Sequence, residues 1–257
     1  MVYMDILGYE LFSEGFDTLM NELSVVLLND GSCKSDCCWF TCLNPHSYVV
    51  ASKDEEFSSS LLASDWIIPD GIGIVIASKA LKKNLRERLT GYDIFVGVNS
   101  LLNKSGGSVY FLGGSEETLK KISHRIAKDY PNLRIAGMYS PPYCDRLSAK
   151  ESDKILTKIN SATPDVLWVA MSAPKQEKWI YENISQINAR LAGPIGAVFD
   201  FYGGDVARSS KLFRCTGLEW LPRLIQEPKR LWRRTFISGP IFLGHLIKAV
   251  FSSSKKP

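Results

Sequence analysis

The strand-length segments of this chain are apolar at nearly every position rather than at every second one, and that property restricts its fold most. Residues 37–43, 66–68, 109–112, 165–171 and 195–200 all read this way. A strand that is apolar on both sides must be covered on both sides, which calls for a mostly parallel sheet between two layers of helices. The intervening segments supply those helices. Residues 15–28 place Phe16, Leu19, Met20, Leu23 and Leu27 at helical spacing, and 45–52, 55–63, 73–81, 92–103, 115–130, 148–160 and 174–181 follow suit. A small hairpin over 6–12, a polar loop over 29–36 and a further strand over 133–138 complete a Rossmann-like α/β pattern. Residues 195–200 are expected to be its last strand, closing on Gly203-Gly204.

In open sheets of this kind, ligands bind where strands end and helices begin. Trp66-Ile67-Ile68 runs into Pro69-Asp70-Gly71, leaving the Asp70 carboxylate on the rim, ionised at neutral pH and able to accept a proton. The same dipeptide also serves as a plain turn. Asn44 stands at another strand end, before Pro45, as the cap of a helix. Gly113-Gly114 allows close backbone approach by a nucleoside or sugar, or serves packing alone. Lys175, Gln176 and Glu177 open a helix at a further strand end. Their amide and carboxylate suit sugar hydroxyls and the lysine suits a phosphate, unless the turn is merely amphipathic.

Charge divides the 257 residues unequally. Residues 206–257 hold eleven Lys and Arg against two acidic side chains, whereas 1–205 hold 20 basic and 25 acidic. We read 1–205 as the catalytic body and 206–257 as a basic helical appendage, whose Arg223, Lys229, Arg230, Arg233 and Arg234 want an anionic partner. A membrane surface suits the interleaved apolar and aromatic residues, and a helix packed on the body suits them equally. Glycine and proline interrupt 236–251, so no bilayer-spanning segment is expected. The N-terminus lacks the pattern of a secretory signal, which places the protein in the cytoplasm.

Several chemistries are poorly served. Gly71-Ile72-Gly73 lacks the third glycine of a dinucleotide fingerprint, and no Walker lysine motif or D-x-D pair occurs. Cys33, Cys37, Cys38 and Cys42 lack zinc-ribbon spacing and read as free thiols, and the three histidines are scattered. Neither a metal nor a cofactor is expected.

Asn44 after a strand, Pro69-Asp70-Gly71, Glu87-Arg88-Leu89-Thr90-Gly91-Tyr92-Asp93, Phe111-Leu112-Gly113-Gly114, Ala170 to Glu177 and Gly217-Leu218-Glu219-Trp220-Leu221 occur in that order. In order and spacing the set resembles the WecG/TagA/CpsF glycosyltransferases, from about residue 6 to 234. The resemblance implies a metal-independent, inverting enzyme on the cytoplasmic face of the bacterial inner membrane. It would move a hexose from a UDP-sugar, commonly UDP-N-acetylmannosamine, to a sugar on undecaprenyl diphosphate for a cell-surface polysaccharide. By that resemblance Asp70 is the general base and Arg88 stabilises the leaving diphosphate. Asn44 and Gln176 line the sugar pocket; Gly71, Gly113, Gly114, Lys175, Glu177 and Asp200 stand around the nucleotide and sugar. Arg214, Arg223, Arg230, Arg233 and Arg234 meet the acceptor diphosphate or the membrane. Members with threonine two positions before the asparagine differ from this chain, which has Thr41 and Cys42 there. That difference leaves a glucose donor open. Oligomeric state is also open, a homo-oligomer included.

Two other readings compete. A nucleotide-binding oxidoreductase would use a degenerate fingerprint at Gly71-Ile72-Gly73, and a non-catalytic membrane adaptor would keep only the tail. Nucleic acid is not an expected partner, because the tail aromatics sit among apolar residues rather than on a recognition helix.

Overall fold

The computed structural model describes residues 3–28, 37–206, 220–226 and 228–253. The expected loop at 29–36, Cys33, Arg214 and Gly217 to Glu219 lie outside them, as do the side chains of Arg223, Lys229 and Arg230. The described chain opens with a hairpin of β1 (Tyr3–Ile6) and β2 (Tyr9–Phe12), then α1 (Phe16–Leu28), β3 (Cys38–Leu43), α2 (Pro45–Ala51) and α3 (Glu55–Leu62). Next come β4 (Trp66–Pro69), α4 (Ile72–Ala80), α5 (Gly91–Ser105), β5 (Ser108–Gly113), α6 (Glu116–Asp129) and β6 (Arg134–Tyr139). The series continues through α7 (Ala149–Ala162), β7 (Val166–Ala170), α8 (Lys175–Asn183), β8 (Leu191–Pro194) and α9 (Val198–Gly203). The strands form one eight-stranded sheet in the order β1-β2-β4-β3-β8-β7-β5-β6, parallel apart from the opening hairpin.

The unbroken apolar runs have the consequence expected of them: successive strand residues feed opposite layers. Phe40, Ile68, Phe111 and Trp168 join one core under α1, α5, α6 and α9. Their neighbours Trp39, Leu112, Leu167 and Val169 pack under α7 and α8, and Leu43 and Ile67 under α2, α3 and α4. The helix after β5 therefore lies on one face and the helix after β7 on the other, although the two strands are adjacent. Divergent connections of this kind open a crevice at the carboxyl edge. The same divergence separates β3, followed by α2, from β8, followed by α9.

Two expectations need correction. The last strand is 191–194, not 195–200. Both Ile195 and Gly196 donate their N–H to the Val169 carbonyl, Gly196 turns at φ +47°, and Val198 to Gly203 is helical. Gly193 stands inside the sheet opposite Trp168, where a Cβ would lie 2.5 Å from the Trp168 ring and 2.8 Å from Phe40, so only glycine fits there.

The second correction concerns the tail, which forms α10 (Trp220–Gln226), α11 (Pro228–Arg233), a π-turn over Arg234–Ser238 and α12 (Gly239–Ser253). One helix ends at Gln226 and the next starts at Pro228, but Gly239 and Pro240 do not interrupt the segment after it. The wider π-turn precedes Pro240, which has no N–H to give, so Leu231–Ser252 runs on as a 22-residue helical stretch, with a mean hydropathy of 1.3 over an 18-residue window within it. By length and composition alone this stretch is long enough to cross a bilayer. Its inner side is packed on the body: Phe242 and Leu246 are buried beside α2 and α4, with the Phe242 ring 5.4 Å from that of Tyr48.

Candidate active site

Asp70 follows the last residue of β4, half-buried at the sheet's carboxyl edge, and its N–H bonds the Leu43 carbonyl at 2.8 Å. That bond ties the ends of β3 and β4 together, so Asp70 and Asn44 are neighbours. Gly71 carries the chain into α4 at φ +85°, where a side chain would be strained, and a Cβ there would lie 3.8 Å from that of Asn44. At Gly73 a Cβ would overlap the Pro45 ring. This glycine pair therefore permits close packing of α4 on α2 and is no dinucleotide fingerprint.

Asn44 is first a cap. Its Oδ1 accepts from the N–H groups of His46 and Ser47, both at 3.0 Å, while Ser47 Oγ accepts from the Asn44 N–H at 2.7 Å. Only the Asn44 amide nitrogen remains to face a ligand. Thr41 is fully buried with its hydroxyl 3.0 Å from Ser64 Oγ, so it lies in the sheet interior and not in the site. Cys42 points the other way, toward Gly91. Burial, with the charges of Asp70 and Glu177, holds its thiol well above the ordinary range, so it stays protonated.

Arg88 lies in the irregular stretch between α4 and α5, which buried Leu85 and Leu89 anchor. Leu89 N–H bonds the Pro69 carbonyl at 3.2 Å, which ties the backbone next to half-buried Arg88 to the end of β4. The rest of the motif is structural. Glu87 accepts the Phe16 N–H at the start of α1, and the Thr90 hydroxyl caps α5 while donating to Asp93 at 2.6 Å.

Gln176 and Glu177, in the first turn of α8, are both only 5% exposed. Gln176 Nε2 donates to Glu177 Oε1 at 2.8 Å, and among the described residues Gln176 Oε1 and Glu177 Oε2 have no hydrogen-bond partner. Gly196, at the end of β8, stands against the Gln176 amide. Two buried acceptors without donors carry a desolvation penalty that a ligand's hydroxyl or N–H groups would relieve. Burial raises the Glu177 carboxyl to about 7, against the pull of Gln176 and of the Arg234 charge. Burial, with the Arg234 charge adding to it, lowers His46 to about 4, and His46 Nδ1 lies 2.8 Å from Ser238 Oγ. The tail thus reaches the sheet edge at its π-turn.

These two groups oppose each other in their effect on stability. Glu177 titrates near 7 when folded and near 4.5 when unfolded, so its contribution is complete below about 4.5 and lost as pH rises through 7. Glu177→Gln is expected to remove a fall of about 3 kcal/mol across that window in urea unfolding. His46, lowered from 6.5 to about 4, contributes stability above 6.5 that is lost as pH falls through 4, and His46→Gln should flatten that limb.

Between β5 and β7 opens a cleft of about 660 Å³, lined by Gly113, Gly114, Ala170 to Ser172, the 140–147 loop, Lys175, Lys178 and Trp179. The glycine pair serves packing as well as lining. Gly113 sits at φ +104°, a Cβ there would overlap the Ala170 carbonyl, and the Gly114 N–H bonds that same carbonyl. Gly113→Ala is expected to cost about 2–4 kcal/mol in thermal unfolding, against about 1 for Gly106→Ala, where the space is open. Lys175 is committed to the loop: its Nζ donates to the Cys144 carbonyl at 2.5 Å and lies 4.9 Å from the Tyr143 ring centre. Arg146 pairs with Glu56 and Glu182, latching the loop to α3 and α8.

The structure thus gathers Asp70, Gly71, Cys42, Asn44, Gln176 and Glu177, with Arg234 near Glu177, at the β4-β3-β8 edge, and the stretch that carries Arg88 is tied to the end of β4. Gly113, Gly114 and Lys175 line the adjoining cleft. Asp200 lies in the first turn of α9, next to Phe199, which abuts Gly114, and Arg233 is exposed. Sequence reasoning passed over Ser238, the contact His46 makes with it, and the 140–147 loop. The Pro141-Pro142 pair directly after a strand was the available signal for the loop.

A divided carboxyl edge, with a half-buried carboxylate in one crevice and a cleft of about 660 Å³ in the next, suits an α/β enzyme that brings two substrates together. The chain belongs to the glycosyl transferase WecG/TagA/CpsF family, whose model matches residues 4–256, and it is a glycosyltransferase. A relative in Bacillus spizizenii, N-acetylglucosaminyldiphosphoundecaprenol N-acetyl-beta-D-mannosaminyltransferase, is 32% identical over 212 residues, 82% of this chain and 79% of its own. The Bacillus subtilis protein of that name is 32% identical over 75% of this chain and 72% of its own. A Staphylococcus aureus protein, again of that name, is 24% identical over 96% of this chain and 92% of its own. The oxidoreductase and adaptor readings are set aside.

Proposed function

We propose that this enzyme transfers an N-acetylated hexose of the mannosamine type from a UDP-sugar to a sugar on undecaprenyl diphosphate, working without a metal at the cytoplasmic membrane face. The observation that carries the reading is the pair of unfilled buried acceptors on Gln176 and Glu177, set against the edge that bears Asp70. They meet the hydroxyl and acetamido N–H donors of a bound sugar. The cleft between β5 and β7 has the size of a nucleotide site and takes UDP.

In the reaction, Asp70 accepts the proton of the acceptor hydroxyl as its oxygen bonds the anomeric carbon. The bond from that carbon to the UDP oxygen breaks, and its electron pair goes to the departing diphosphate. Arg88, with Arg234 from the tail, offsets the charge that develops there. The relatives' names specify a β-linked product, so a donor linked α to its diphosphate would be inverted. One carboxylate suffices for that outcome.

The test is incubation of the purified protein with a panel of UDP-sugars and a synthetic lipid-diphosphate-N-acetylglucosamine acceptor, with and without EDTA. Product from UDP-N-acetylmannosamine at an unchanged rate in EDTA is expected. Product from UDP-glucose instead would shift the donor, and no product from any UDP-sugar would overturn the reading.

A further inference from the structure

We propose that α4, the helix directly after Asp70, is a second membrane-contacting element, docking on an anionic lipid bilayer together with the C-terminal helix. The inner side of α4 is sealed, with Ile74 and Ala77 fully buried, yet Ile72 and Ile76, one turn apart, are 37% and 54% exposed. The C-terminal helix packs against α4 and repeats the arrangement. Its Phe242 and Leu246 face inward, while Leu243, Ile247 and Phe251, at successive turns, are each about half exposed or more.

Scattered exposed apolar side chains need no explanation, but two such stripes on touching helices do. The charge on these elements selects the partner. Neither helix contains an acidic residue, and exposed Lys79, Lys82 and Lys248 flank the stripes. An apolar strip with a basic margin fits the interface of an anionic bilayer rather than a polymer of nucleotides or an apolar protein groove. Since α4 begins two residues after Asp70, contact there would hold the candidate base near the headgroup level, where the diphosphate of a lipid-linked substrate lies. The purpose of this surface rests on the acceptor proposed above. Its test reads vesicle binding and not transfer, so the two can fail separately.

The full-length protein is sedimented with vesicles of phosphatidylcholine plus phosphatidylglycerol, and with phosphatidylcholine alone. Ile72→Glu/Ile76→Glu is expected to lower partitioning at least about tenfold, with thermal midpoint and UDP affinity unchanged. Lys79→Glu/Lys82→Glu should weaken binding only where phosphatidylglycerol is present. Wild-type partitioning by the isoleucine variant would overturn the proposal. So would sedimentation equilibrium showing that these isoleucines join two copies of the chain while vesicle binding is untouched.

Discussion

Asp70→Asn is expected to lower the transfer rate by about 10²–10⁴-fold, the range of a lost general base, while UDP still binds with wild-type affinity. The substitution keeps the shape of the side chain, and the Asp70 N–H bond to Leu43 that fixes the strand end is untouched. Single-turnover transfer and calorimetric titration with UDP would separate the two effects. Retention of most of the rate would remove Asp70 from the mechanism. Arg88→Ala offers a contrast, since losing a charge that serves the departing diphosphate should weaken both UDP binding and turnover.

Removing everything after Gly217 is expected to abolish transfer while leaving the sheet folded, because every strand among the described residues precedes that point. Two local consequences should accompany the loss. Tyr48 and α4 would lose the cover of Phe242 and Leu246, so the thermal midpoint should fall. Glu177 would lose the favourable charge of Arg234, so its titration should move above 7 and its stability slope should extend to higher pH. Full transfer by the shortened protein would show that the sheet edge is complete without the tail. Arg234→Gln in the full chain then asks how much of the loss belongs to one guanidinium.

Much of the fold was legible because strand interiors and helix periods are local properties. The runs ending at Leu43, Pro69 and Gly113 fell where expected, and Asn44, Ser115 and Ser148 cap helices as such residues do. The 191–194 strand was missed because Gly193 answers to Trp168 and Phe40, two side chains far away in sequence. The tail misled for a related reason: a π-turn absorbs Pro240, and no propensity scale anticipates it. Within the site, Asp70, Asn44 and Gln176 stand where strand-end reasoning puts them. Thr41 does not, because its hydroxyl found a partner inside the protein, in Ser64; Lys175 stands at the strand end and lines the cleft, with one bond given to the Cys144 carbonyl. Which polar groups stay unfilled, as Gln176 Oε1 and Glu177 Oε2 do, is a three-dimensional fact.

The bond from Leu89 to the Pro69 carbonyl also says where this enzyme tolerates change in chain length. Leu85 and Leu89 pin the irregular stretch at two places and divide it into unequal halves. Ahead of Leu85, an inserted residue would bulge outward and leave the edge alone. Between the two leucines, one added residue would shift Arg88 relative to the bond that ties Leu89 to the end of β4. Natural or designed variation in this linker should therefore accumulate on the Lys82-Lys83-Asn84 side and spare the four residues that follow Leu85.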